Sequence, residues 1–171
     1  MYSYRVTKYN PQYRNKNGAY TKEEWTSISE IGKMYGDKLF ELEEYLNYEN
    51  AYISAVLIAM KANNVHSLKI KHFEEHYIES SDMPINDGDM VIDEIKNRKI
   101  INCANLEFLI KLILREIVWC KLVSDDVLVH FGYDYYMYII SRKKLDSEAK
   151  LISDLGLFVE EFLSPHLELW Q

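Results

Sequence analysis

Glycine and proline are scarce in this sequence, six and three residues among 171. That excludes a collagen-like or low-complexity chain and disfavours glycine-rich phosphate cradles. Cysteine is scarcer still: Cys103 and Cys120 stand alone, with no C-x-x-C pair. A secreted disulfide framework would need more of them, so both read as reduced core residues of a cytosolic protein. Basic charge is in deficit, with Lys and Arg numbering 20 against 27 Asp and Glu, for a net charge of −7. A chain of this sign is repelled by phosphate backbones, so no nucleic-acid partner is expected, whereas a basic protein partner is compatible with it. Long apolar runs are missing. The most apolar stretch, residues 51–60, is interrupted by Ser54 and is about half of what a bilayer span needs. The opening Met-Tyr-Ser-Tyr-Arg-Val-Thr-Lys has no apolar signal core, and no lipidation motif is present. A cytoplasmic protein without a membrane partner is expected. No G-x-S-x-G, P-loop or G-x-G-x-x-G occurs, no cofactor is implied, and a non-catalytic role is favoured over an enzyme.

What is present is a core. Hydrophobic types make up 48% and charged types 27%, and the length suits one domain, residues 1–171. Residues 2–9 alternate as a half-buried strand, ended by Asn10-Pro11, and Asn17-Gly18 marks a turn. Ser27-Ile-Ser-Glu30 has the form of a capping box. Ile28, Ile31, Tyr35, Leu39, Leu42 and Leu46 follow it at helical spacing, weakened by Gly32 and Gly36. A second helix is expected over 50–63, a strand around Leu68 and Ile70, a loop over 80–89 and a helix from 89 to 97. A stronger helix is expected over 105–118, then a strand over 119–123 and a turn at Asp125-Asp126. Residues 127–140 alternate throughout and read as one long central strand, with Gly132 as a bulge. A short helix over 146–153 and a strand over 155–163 complete an α+β fold, a mainly antiparallel sheet covered by helices on at least one face.

Two segments carry candidate chemistry. His72-Phe-Glu-Glu-His76 matches H-x-x-E-H, so His72, Glu75 and His76 would serve a metal-dependent hydrolase if they lay on a helix. The preceding Leu68-Lys-Ile-Lys alternates at period two. On a strand the two imidazoles stand roughly 13 Å apart, too far to share an ion. The other segment is His130-Phe-Gly-Tyr-Asp-Tyr-Tyr-Met-Tyr138. Tyrosine combines apolar area with a polar tip, which suits either a core strand or a recognition surface. Asp134 would need a cationic or hydroxyl partner if buried there. Residues 1–22 hold Arg5, Lys8, Arg14, Lys16 and Lys22, interleaved with tyrosines and without an acid. This suits single-stranded RNA, or more simply packing against the acid-rich block that follows, which carries Glu23, Glu24, Glu30, Asp37, Glu41, Glu43, Glu44 and Glu49.

Thr7-Lys-Tyr-Asn-Pro11, Tyr13-Arg14, Gly18-Ala-Tyr20, Glu24-Trp-Thr-Ser27 and Ile31-Gly32 form one set of motifs. Leu114-Arg-Glu, Trp119-Cys-Lys-Leu122 and His130 to Tyr138 form another. Together, over about a third of the chain, they resemble a small family of proteins from Gram-positive bacteria, some of them immunity proteins of polymorphic-toxin systems. The resemblance implies a protein-binding role and carries over no catalytic residue. The expectation is an acidic, Tyr-rich binding protein that occupies a basic toxin domain through Tyr133, Asp134, Tyr136 and Tyr138, with Trp25 as a second anchor.

Overall fold

The computed structural model describes residues 1–76, 95 and 99–165. Strand β1 (Tyr2–Thr7) opens the chain as the alternation predicts, with Tyr4 and Val6 inside. Asn10 caps a 3₁₀ turn, Pro11–Tyr13, its Oδ1 accepting from the Gln12 amide at 3.1 Å. The Ser27/Glu30 capping box forms, but it caps only the 3₁₀ turn Ile28–Glu30. The helix expected onward from Ile28 is absent. Gly32 and Gly36 take left-handed φ values of 93° and 60°, which breaks the helix and folds a small hairpin, β2 (Met34–Tyr35) and β3 (Lys38–Leu39).

Helix α1 (Leu42–Ala62) then runs unbroken, joining the end of that expected helix to the whole of the next. There follow β4 (Ser67–Glu75), β5 (Ile100–Asn102), α2 (Cys103–Leu114), β6 (Val118–Val123), β7 (Val127–Phe131), β8 (Met137–Ser141), α3 (Asp146–Asp154) and β9 (Phe158–Glu161). Residues 127–140 are thus two strands and a turn rather than one strand. The loop expected over 80–89 and the helix over 89–97 lie outside the described residues, apart from the buried Ile95.

The seven longer strands form one antiparallel sheet in the order β5-β4-β6-β7-β8-β1-β9, with β7 central. The architecture is α+β, as expected. One face, carrying Cys120, Leu122, Val127, Val129, Phe131, Met137 and Ile139, merges with the apolar sides of α1 and α2 into a single cluster. Cys120 belongs to that core, and burial pushes its thiol up to about 12. Cys103, expected to be buried as well, is exposed at the first turn of α2.

About half of the two charged blocks is consumed inside the molecule. Arg5 forks onto Glu160 with bonds of 3.1 and 2.9 Å, and Arg14 meets the same carboxylate at 3.3 Å. Lys8 is buried between the rings of Trp25 and Tyr9, its Nζ 4.0 and 4.3 Å from their centroids and 3.2 Å from Glu24. Among the acids, Glu30 caps its own turn, Glu44 accepts from the Trp25 indole, and Glu49 pairs with Arg115. Three of the five N-terminal cations and four of the eight acids are thus internal ties, which leaves Lys16 and Lys22 exposed on one side and Glu23, Asp37, Glu41 and Glu43 on the other.

Candidate functional site: the tyrosine turn and its cleft

The turn between β7 and β8 is built on strain and an anchor. Asp134 and Tyr135 both take left-handed backbone, φ 55° and 61°, which side chains other than glycine seldom adopt. Gly132 N–H donates to Tyr136 O at 2.7 Å and closes the loop. A Cβ at Gly132 would come within 3.3 Å of that same carbonyl oxygen. Tyr135 drops into the core, where its hydroxyl donates to Leu114 O at 2.9 Å and its backbone carbonyl accepts from the Tyr52 hydroxyl at 2.6 Å. Trp25 packs edge-on against its ring at 5.0 Å. Burial and the neighbouring carboxylates of Glu116 and Glu49 hold the Tyr135 hydroxyl well above the ordinary tyrosine range.

With Tyr135 pulled in, Tyr133 is pushed out: its side chain is 93% exposed. Asp134 is exposed beside it and needs no internal partner, unlike the buried aspartate that a continuous strand would have required. Tyr136 is half-buried. Its hydroxyl accepts from Arg14 at 2.8 Å, and its ring lies 5.4 Å from that of Tyr9. Tyr138 lies on the other face of the sheet between His130 and Phe162, and burial raises its hydroxyl pKa. Trp25, expected as a second anchor, is a core residue: it is 4% exposed and stacks on Phe40 at 4.4 Å. The expected site thus divides into one projecting tyrosine with its aspartate, two supporting tyrosines and one core tryptophan.

His72 to Glu75 of the H-x-x-E-H segment lie on β4, as the alternation of Leu68 to Lys71 implies, and His76 follows its last residue. The strand's register against β6 shifts between Lys71 and Glu74, a bulge at which His72 takes φ 52°. His72, Glu75 and His76 are all exposed. Among the described residues no group of three His, Cys, Asp or Glu side chains converges as a metal site. His76 instead belongs to the tyrosine turn. Its amide donates to Ile117 O at 2.8 Å, and its Nδ1 donates to Glu116 O at 3.2 Å.

Two cavities flank the turn, of about 280 and 580 Å³, and share His76, Trp119, Phe131, Gly132, Tyr133 and Asp134. The smaller is floored by Ile113, Leu114, Val118, Phe131 and Tyr135, and Glu116 stands in its wall. The larger opens across the outer face of the sheet towards Glu74, His130 and Tyr138. Partial desolvation raises the Glu116 carboxyl above its ordinary value, and the carboxylates of Asp134 and Glu30 push the same way against the Ser27 hydroxyl and His76. Glu116 and Trp119 were not among the expected site residues, although they border or lie in the stretches that carry the resemblance. Their meeting with the turn depends on sheet register, which no linear pattern displays.

Compared with family models, curated proteins and solved structures, the chain matches none. Among the described residues, no helix is long and apolar enough to cross a membrane.

Proposed function

We propose that this chain is a non-catalytic protein-binding protein of the immunity type, which neutralises a basic toxin domain by seating the Tyr133–Asp134 tip on it. The observation that carries this reading is the near-complete exposure of Tyr133 at the apex of a strained turn held rigid from below by Tyr135. A large exposed aromatic on a pre-ordered support loses little entropy on binding and is the usual kind of anchor at an interface. Strained backbone is retained where function uses it. The exposed carboxylates of Asp134, Glu116 and Glu74 around the tip favour a cationic partner and would steer its approach. Tyr136 and Tyr138 hold the turn and the adjoining sheet face in place. The resemblance to immunity proteins supports the same class of partner.

The test is titration of the purified chain against a basic toxin domain encoded beside it, read by calorimetry. The expected result is a stoichiometric complex. Tyr133→Ala should weaken it at least about tenfold, the cost of a modest hot spot. The circular dichroism spectrum and Tm should not change, because the residue is almost wholly exposed. Absence of a complex, or undiminished binding by Tyr133→Ala, would overturn the reading.

A further inference from the structure

The smaller cavity beside Tyr133 has a definite chemical character. Its floor is aliphatic and aromatic, and its wall carries Glu116 and Asp134 with His76 and the Trp119 ring. Neither carboxylate is ion-paired to a lysine or arginine among the described residues, whereas Glu24, Glu49 and Glu160 are. Partial burial, with Asp134 and Glu30 nearby, disfavours charge on Glu116, and only the Ser27 hydroxyl, donating at 3.4 Å, and His76 oppose this. The His76 ring stands beside the carboxylates, tied by Nδ1 to Glu116 O at 3.2 Å. The cleft therefore offers acceptors and negative charge above an apolar floor, within reach of an indole and a projecting phenol.

We infer that this cleft receives an arginine side chain of the partner protein. The aliphatic stem would lie on Ile113, Leu114 and Val118, and the guanidinium would meet Glu116 and Asp134 with its plane against Trp119 or Tyr133. An apolar occupant would leave both carboxylates uncompensated, and an anion would be repelled by them. Lysine brings the same charge but no planar fork and no stacking surface, so arginine fits these walls better. The inference rests on the protein-binding reading and specifies the partner's chemistry.

The experiment needs no partner. Nα-acetyl-arginine amide is titrated into the ¹⁵N-labelled chain and followed by amide and indole chemical shifts. Nα-acetyl-lysine amide and Nα-acetyl-norleucine amide are titrated in parallel. Saturable shifts are expected at the Trp119 indole N–H and at the amides of Glu116 and residues 132–134, tightest for arginine. Glu116→Gln and Asp134→Asn should each weaken the arginine probe by up to about fivefold, as for exposed ion pairs. No saturable shift, equal response to norleucine, or indifference to both substitutions would overturn the inference. A complex with the toxin domain but no arginine response removes the cleft and leaves the tip. An arginine response without any complex does the reverse.

Discussion

The most consequential residue for stability lies outside the site. Glu49 and Arg115 are 1% and 4% exposed and form a two-pronged pair at 2.8 and 2.9 Å, with the Tyr45 hydroxyl also donating to Glu49 at 3.0 Å. The pair ties the middle of α1 to the end of α2, beneath the Leu114 carbonyl that holds Tyr135. A buried pair of this kind contributes little net energy as a whole, but removing one partner strands a charge in the core. Arg115→Met should cost about 3–5 kcal/mol, a fall of roughly 6–20 °C in Tm by calorimetry. Adding Glu49→Gln, which removes the stranded charge and keeps an acceptor for Tyr45, should recover about 2 kcal/mol of it. If the double variant is no more stable than Arg115→Met alone, the stranded charge is not the cause.

Among the elements, the β7–β8 hairpin shows both what the sequence discloses and what it hides. Val127, Val129, Phe131, Tyr133, Tyr135, Met137 and Ile139 were legible as one face, and all but the exposed Tyr133 are buried. The turn was not legible, for a geometric reason. Phe131 pairs with Met137 and Val127 with Ser141, so the connection has five residues, an odd number. Alternation therefore passes through the turn in phase, and two antiparallel strands imitate one long strand. The α1 region misleads in the same way. Ile31, Tyr35 and Leu39 keep helical spacing across a hairpin, and only Gly32 and Gly36 betray it. The hairpin also yields a prediction of opposite signs at adjacent residues. Asp134→Gly relieves left-handed strain at an exposed position and should add up to about 1 kcal/mol to stability. Tyr135→Gly relieves the same strain but deletes the anchor, and should cost about 3–5 kcal/mol, as large core truncations do. Chemical denaturation of the two variants checks the pair, and a stable Tyr135→Gly protein would show that the turn needs no anchor.

For the molecule as a whole, the abundance of buried tyrosine makes stability strongly dependent on alkaline pH. Burial and its loss of solvation push the Lys8 ammonium down from 10.5 to about 8, against the opposing pull of Glu24. Between those values the unfolded chain holds a proton that the folded chain has released, so stability rises with pH by about 1.4 kcal/mol per unit. Cys120 acts oppositely. Its thiol is raised from 9.0 to about 12, so above pH 9 the folded chain keeps a proton that the unfolded chain loses, and the two slopes cancel. Above pH 10 the balance changes. Burial holds Tyr9, Tyr45, Tyr52 and Tyr135 protonated well beyond the point where unfolded tyrosines ionise. Four such groups together remove about 5 kcal/mol per pH unit. Stability should therefore climb from pH 8 to 9, level off to about pH 10, and collapse within roughly two further units, since a domain holds only about 5–15 kcal/mol in total. Urea unfolding across pH 7–12 tests this curve, with Lys8→Met as the control. That variant should lose the rise between pH 8 and 9 and keep the alkaline collapse. A wild-type curve flat from 8 to 9 would mean that Lys8 keeps its proton in the fold, held there by Glu24 and the two rings that enclose it.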